Sequence, residues 1–181
     1  MDASHILRDK VILVVDDEPD VLDTVADVLA GSLITKARDF ETARQYLMGY
    51  SYDIVVLDIM GVNGFELLKL SVRRGFPTVM LTAHALTPEA LETSIRLGAV
   101  SFLPKEKMGE LDEFLADVVL GGNKPVWEQL FSKLGNLFNR RFGPDWRERN
   151  HFFKTFEAAL KADSHVDPDA VAPTHMQKEE S

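Results

Sequence analysis

Four short apolar segments, each followed by polar residues, constrain the fold of this chain more than any other feature. The segments and the residues that follow them are 11–15 with Asp16 and Asp17, 54–57 with Asp58, 78–81 with Thr82, and 100–103 with Pro104 and Lys105. Apolar and polar residues do not alternate within them, which is typical of parallel strands covered on both faces. Residues 33–36 form a weaker strand candidate.

Helical patterns separate these strand candidates. Apolar residues at helical spacing predict five helices, over residues 19–29, 40–48, 64–74, 88–97 and 109–120. Pro19 suits a first helical position, and Asp39 is a candidate cap for the second helix. A strand and a helix therefore alternate five times, which predicts an α/β fold with a doubly wound, five-stranded parallel sheet.

The polar residues at the strand ends are predicted to meet at one site. In a sheet ordered 2-1-3-4-5, strands one, three, four and five are neighbours, and their carboxyl ends share one edge. An aspartate after a strand is by itself more often a turn former or a helix cap. Three carboxylates brought together repel one another unless a cation joins them, and Mg²⁺ prefers such oxygen ligands. With Lys105 as a second positive charge, the set suits a phosphoryl group on a carboxylate.

This combination resembles the receiver domain of two-component response regulators, whose fold is flavodoxin-like, over roughly residues 8–120. The resemblance implies that Asp58 accepts a phosphoryl group from a sensor histidine kinase or a phosphotransfer protein. It also implies that Asp17 ligates Mg²⁺ directly, that Asp16 acts mostly through water, and that Asp58 and the backbone carbonyl of Met60 complete the metal site.

The resemblance assigns further roles around the acceptor. Thr82 and Lys105 would bind the phosphoryl oxygens, and Phe102 would be the switch aromatic that turns inward when Thr82 moves. Met60 and His84 occupy the positions that flank the attacking water and tune dephosphorylation. Because Met60 offers no hydrogen bond to orient that water, we expect slow loss of phosphate. A receiver catalyses only its own phosphotransfer and dephosphorylation, so we do not expect an enzyme with a separate substrate.

Residues 121–161 differ from the segment before them. They carry a net charge of +4, against −9 for residues 1–120, and hold 8 of the 16 aromatic residues. Two apolar stripes predict a helical hairpin, one with Trp127, Leu130, Leu134 and Leu137, the other with Trp146, Phe152, Phe153, Phe156 and Leu160. Two helices alone cannot bury this much apolar surface. The hairpin must therefore dock on the first domain, on a second copy or on a partner.

Three interpretations of this hairpin stay open. It forms a homodimer through residues 123–161 or docks on the receiver, it presents a surface to a specific partner, or its arginines bind nucleic acid. The arginines are Arg140, Arg141, Arg147 and Arg149. Nucleic-acid binding is the least favoured, because a few arginines at a helix junction are usually solvated. For the whole chain, the alternative to a phosphorylated regulator is a receiver-like interaction module that takes no phosphate.

Composition excludes several classes of protein. The chain has no cysteine, which rules out disulfides and zinc–thiolate sites. No apolar run is long enough to span a membrane and no leader is evident, so we expect a cytoplasmic protein. We predict three segments: a receiver over 1–120, the hairpin over 121–161, and a disordered acidic tail over 162–181.

Overall fold

The computed structural model describes residues 2–162 and contains one five-stranded sheet. All strand pairs are parallel and the order is β2-β1-β3-β4-β5, as the sequence predicted. The strands are β1 Val11–Val15, β2 Leu33–Ala37, β3 Ile54–Asp58, β4 Thr78–Thr82 and β5 Ser101–Pro104. The weaker strand candidate is thereby confirmed as an edge strand.

Within the described residues, one short helix precedes the sheet, a helix follows each strand, and three more follow the sheet. They are α1 Ala3–Ile6, α2 Pro19–Val28, α3 Phe40–Gly49, α4 Gly64–Arg73, α5 Pro88–Arg96, α6 Leu111–Leu120, α7 Trp127–Phe142, α8 Trp146–Arg149 and α9 His151–Ala162. The predicted fifth helix begins later than expected, because residues Lys105–Glu110 form a 3₁₀ helix before α6. The side chains of Asp39 and Thr87 accept hydrogen bonds from the first turns of α3 and α5, which fixes where these helices begin.

Helices cover both faces of the sheet, so its inner strands lie in the core. Every residue of β3 and β4 is buried, which explains their continuous apolar sequence. The two edges of the sheet differ. Leu33 and Lys36 of β2 are exposed, whereas β5 is buried along its length and packs against α7. Just before α7, the amide of Val126 donates a hydrogen bond to the carbonyl of Val100 at 2.9 Å.

The C-terminal helices dock on the sheet domain. The buried residues of α7 and α9 belong to the same hydrophobic cluster as the strands, including Trp127 and Phe138 of α7 and Phe153 and Phe156 of α9. The sequence left three possible docking partners for the apolar stripes: the first domain, a second copy or another protein. In the structure the stripes pack on the first domain. Full burial of an aromatic side chain contributes about 2–3 kcal/mol, so this docking is a substantial part of the core.

The second stripe is not one continuous helix. Trp146 lies in the one-turn helix α8, and α9 begins at His151. Asn150 separates the two helices in an extended conformation, and its side chain accepts a hydrogen bond from the amide of Phe153 at 3.3 Å. An asparagine that caps the following helix therefore divides an apolar pattern that runs through it.

The predicted tail over 162–181 falls, apart from Ala162, outside the described residues, and the segment boundaries at 120 and 161 stay predictions. Within residues 2–162, no helix combines the length and the apolar character needed to cross a bilayer.

Candidate functional site

The polar residues at the strand ends meet at the carboxyl edge of the sheet. Asp58 pairs in register with Leu81, one residue before Thr82, and Thr82 pairs with Pro104, one residue before Lys105. Asp16 follows β1, the neighbour of β3 on the other side. The predicted convergence is therefore present, and it results from the strand order, which places four consecutive strand ends side by side.

Lys105 is the centre of this cluster. Its Nζ lies 2.8 Å from Oδ2 of Asp16, 3.3 Å from Oδ1 of Asp58 and 3.1 Å from Oε1 of Glu18. The lysine side chain is only 10% exposed, and Asp16 and Asp58 are almost completely buried. One buried cation thus joins the aspartates that end two neighbouring strands.

Glu18 was not among the predicted site residues. One carboxylate oxygen from each of Asp16, Asp17 and Glu18 lies within 4.8 Å of the others, a spacing that suits a shared cation. The burial of the three decreases along the chain, from a fully enclosed Asp16 to exposed Asp17 and Glu18. Glu18 directly follows the two aspartates in the sequence, and this position could have marked it as a site residue. Its contact with Lys105 could not have been predicted, because that contact depends on the folded structure.

Two glycines allow the loops to approach the site closely. A Cβ on Gly64 would overlap the carbonyl oxygen of Asp58, and one on Gly61 would overlap the carboxylate of Asp17. Gly64 opens α4 directly after Asn63, which adopts a left-handed conformation. The short loop after β3 therefore brings the start of α4 against the acceptor candidate, and a side chain at Gly64 would displace that strand end.

A family model for the response regulator receiver domain matches residues 12–116, more than half of the chain. The chain belongs to this family. Its relatives include the protein PetR of Rhodobacter capsulatus, 34% identical over 99 residues, which are 52% of this chain and 41% of PetR. The transcriptional regulatory protein DltR of Streptococcus agalactiae is 32% identical over 115 residues, 60% of this chain and 50% of DltR. The matched part of this receiver chain thus spans half or less of the length of these relatives.

Solved receiver structures share the fold. The chemotaxis protein CheY4 of Vibrio cholerae has a TM-score of 0.54 at 27% identity, over 59% of this chain and 96% of CheY4. NtrX of Brucella abortus has a TM-score of 0.55 at 28% identity, over 71% of this chain and 29% of NtrX. The likeness to CheY4, which covers nearly all of that protein, confirms the fold expected from the sequence.

The electrostatics of the receiver site favour a proton or a cation on its acids. Burial, followed by the charge of Asp16, raises the pKa of Asp58 to about 6, although Lys105 opposes the shift. Burial also raises the pKa of Asp16, against the effect of its ion pair with Lys105. For Lys105, burial lowers the pKa, but its close contacts with the carboxylates of Asp16 and Glu18 outweigh burial, and the net pKa is raised. The lysine therefore stays charged, while the buried acids lack full compensation.

A divalent cation fits this receiver site. Oδ2 of Asp16 is buried and makes no hydrogen bond of standard geometry to any of the described residues, although it pairs with the charge of Lys105. Its remaining lone pairs, together with the carboxylates of Asp17 and Glu18, form an oxygen donor set of the kind that Mg²⁺ prefers. The backbone carbonyl of Met60, the predicted further ligand, is less available to a metal ion, because it already accepts hydrogen bonds from the amides of Val62 and Asn63. That assignment stays a prediction.

The remaining predicted residues line the site or lie behind it. Thr82 is buried, and its Oγ1 accepts a hydrogen bond from the amide of Ala85 at 3.1 Å, so the hydroxyl proton is free to donate. The side chains of Met60 and His84 are exposed at the rim. Phe102 is fully buried on β5. Its ring makes an edge-to-face contact with the ring of Phe138 of α7, with the two ring centroids 6.4 Å apart. Its predicted role as a switch stays a prediction.

Proposed function

We propose that Asp58 accepts a phosphoryl group from a phosphohistidine of a sensor histidine kinase or phosphotransfer protein. The observation that carries this proposal is the position of Lys105, whose Nζ lies 3.3 Å from the Asp58 carboxylate inside a cluster of buried acids. A dianionic group on Asp58 would find a cation already in place. The membership of the chain in the receiver family supports the same assignment.

Transfer needs an ionised acceptor. A carboxylate oxygen of Asp58 forms a bond to phosphorus, and the phosphorus–nitrogen bond of the donor breaks. The donor nitrogen keeps the electron pair and is protonated, so neutral imidazole leaves. We propose that Asp16, Asp17 and Asp58 hold Mg²⁺, with Glu18 beside them and the Met60 carbonyl as the predicted further ligand. Bound Mg²⁺ supplies positive charge that compensates the acids and the phosphoryl oxygens.

The chain's own residues then bind the product. Lys105 exchanges its contacts with Asp16 and Glu18 for a phosphoryl oxygen, and the Thr82 hydroxyl donates a hydrogen bond to another while it still accepts from Ala85. Phosphorylation adds a charge of about −1.5 to −2, which is enough to rearrange contacts around these two strand ends. In this proposal the regulator signals through altered protein contacts in the cytoplasm, and it acts on no separate substrate.

Labelling with a small phosphodonor tests the proposal. The 181-residue chain is incubated with radiolabelled acetyl phosphate and Mg²⁺, and acid-stable but hydroxylamine-labile label is counted. We expect label on the wild type and none on Asp58→Asn. Asp53→Asn is the matched control, because Asp53 is an exposed acid that directly precedes the same strand, at the end opposite Asp58. Label on Asp58→Asn, or no label on the wild type with any divalent ion, would favour the unphosphorylated interaction module.

Self-association is a further part of the proposal. A homodimer through residues 123–161 was expected to use the apolar stripes, but these are buried within one chain, as Leu130, Leu134 and Phe156 show. A dimer through this region would therefore use the outer faces of α7 and α9. Sedimentation of the full chain over a range of concentrations, with and without acetyl phosphate, tests this; a monomer throughout would remove it.

Three of the four arginines of the hairpin are paired with acids, and Arg140 is exposed. Arg141 pairs with Glu106, Arg147 with Glu157, and Arg149 with Asp145. Paired guanidinium groups are poorly placed to neutralise phosphates. We therefore do not propose nucleic acid as a partner, and a gel shift that weakens steeply with salt would contradict this.

A further inference from the structure

Helix α7 holds the chain on both sides of Lys105. Before the lysine, Phe102 of β5 is fully buried against Phe138, itself fully buried, with the ring centroids 6.4 Å apart. Directly after it, Glu106 accepts a hydrogen bond from Nη2 of Arg141 at 2.6 Å. Arg141 lies three residues beyond Phe138, so both contacts come from one face of one helix. The backbone of residues 102–106 is thus held at two points by α7.

The lysine within this segment is the group that a phosphoryl group would attract. With α7 docked, its Nζ is already 3.3 Å from the Asp58 carboxylate. It also contacts Asp16 and Glu18, so it must give up those contacts when Asp58 becomes a dianion. If the backbone at Lys105 shifts, the Phe102–Phe138 and Glu106–Arg141 contacts must either oppose that shift or pass it on to α7.

We propose that Phe138 and Arg141 are positioning residues for Lys105, and that occupancy of Asp58 and docking of α7 against β5 are therefore coupled. This inference rests on the proposed phosphorylation of Asp58. Coupling between two binding equilibria is reciprocal. A phosphoryl group on Asp58 that holds Lys105 in place therefore strengthens the docking of α7 on β5. Conversely, a substitution that loosens the docking of α7 weakens the binding of a phosphoryl analogue at Asp58.

Phe138 also contacts Trp146, whose fluorescence can report on the docked helices. The ring of Trp146 lies 6.2 Å from that of Phe138 and 4.7 Å from that of Phe153. The chain has two tryptophans, Trp127 and Trp146, and both belong to α7 and α8 rather than to the receiver. Tryptophan emission therefore reports on the docked helices and not directly on the carboxylate cluster.

Two readouts on the full chain test the inference. Beryllofluoride with Mg²⁺ serves as the phosphoryl analogue; its binding is followed by the fluorine NMR signal of the bound species, and the response of α7 by tryptophan emission. We expect a bound signal and a change in emission that saturate together. A bound signal with unchanged emission would overturn the coupling while leaving the proposed function intact. Absence of a bound signal would overturn the proposed function and this inference with it.

Point variants at exposed positions test the direction of the effect. We expect Arg141→Ala to weaken beryllofluoride binding by about two- to fivefold, the range for an exposed ion pair, and Arg141→Lys to restore it. Lys133→Ala is the matched control. Lys133 lies about two turns earlier on α7 and pairs with Asp117 of α6 at 2.5 Å, so its loss loosens the helix away from Lys105. Equal weakening by both alanine variants would indicate general loosening and would overturn the positioning role.

Discussion

Replacing Asp58 by asparagine should stabilise the protein when no divalent ion is present. The acid is 4% exposed, and burial together with the charge of Asp16 raises its pKa to about 6 from an ordinary value of 3.8. Asparagine has nearly the same shape as the protonated acid but cannot ionise. The variant therefore avoids the penalty that the wild type incurs when a poorly solvated carboxylate loses its proton.

The size of this effect follows from the pKa. A difference of about two units corresponds to about 3 kcal/mol, at 1.36 kcal/mol per unit. Because the folded pKa lies above the unfolded one, the folded state binds more protons between about pH 4 and pH 6, and wild-type stability falls as pH rises through that window. The penalty is complete about one pH unit above the folded pKa, near pH 7. Asp58→Asn should then be more stable by up to about 3 kcal/mol, or roughly 6–12 °C in Tm.

Thermal unfolding in EDTA between pH 4 and pH 8 measures this difference. We expect the curves of the wild type and Asp58→Asn to meet near pH 4 and to separate towards pH 7.5. Added Mg²⁺ should raise the wild-type Tm more than that of the variant, because binding to the folded state adds stability. The control is Asp53→Asn, which removes the charge of an exposed acid just before β3; the asparagine oxygen can still accept the hydrogen bond that Asp53 accepts from the amide of Val11. A variant that is no more stable than the wild type at pH 7.5, or a gain independent of pH, would refute the reasoning.

Three further substitutions test the site. Lys105→Met leaves the buried acids Asp16 and Asp58 without their cation. We therefore expect the free energy of unfolding, measured with urea in EDTA at pH 7.5, to fall by about 3–5 kcal/mol. An unchanged free energy of unfolding would contradict the role of Lys105. Met60→Asn should accelerate the loss of radiolabelled phosphate severalfold, since an amide can orient the attacking water, and equal lifetimes would remove this idea. Gly64→Ala should destabilise the fold by about 1–3 kcal/mol and reduce labelling of Asp58, because its Cβ would overlap the Asp58 carbonyl oxygen. Gly49→Ala, at the end of α3 where a Cβ meets nothing within 4 Å, is the control and should lose neither stability nor labelling.

The sheet and the acids at its edge could be predicted from the sequence because they follow from local rules. Continuous apolar segments of four or five residues form covered parallel strands, and helical spacing between them leaves few possible topologies. Once the strand order is set, the ends of β1, β3, β4 and β5 must be neighbours. Asp16, Asp58, Thr82 and Lys105 therefore meet without any information about their side-chain contacts.

The contacts of those side chains depended on the tertiary structure. Lys105 reaches Glu18 as well as Asp16, a pairing between residues 87 positions apart that no local pattern specifies. The apolar stripes of α7 and α9 showed that these helices need a partner, but stripes alone do not identify one. The choice of the β5 edge arises from the fit of Phe138 on Phe102 and from the ion pair of Arg141 with Glu106. Periodicity follows from the backbone geometry of each segment, whereas docking depends on the shapes and charges of surfaces that exist only after the segments have packed.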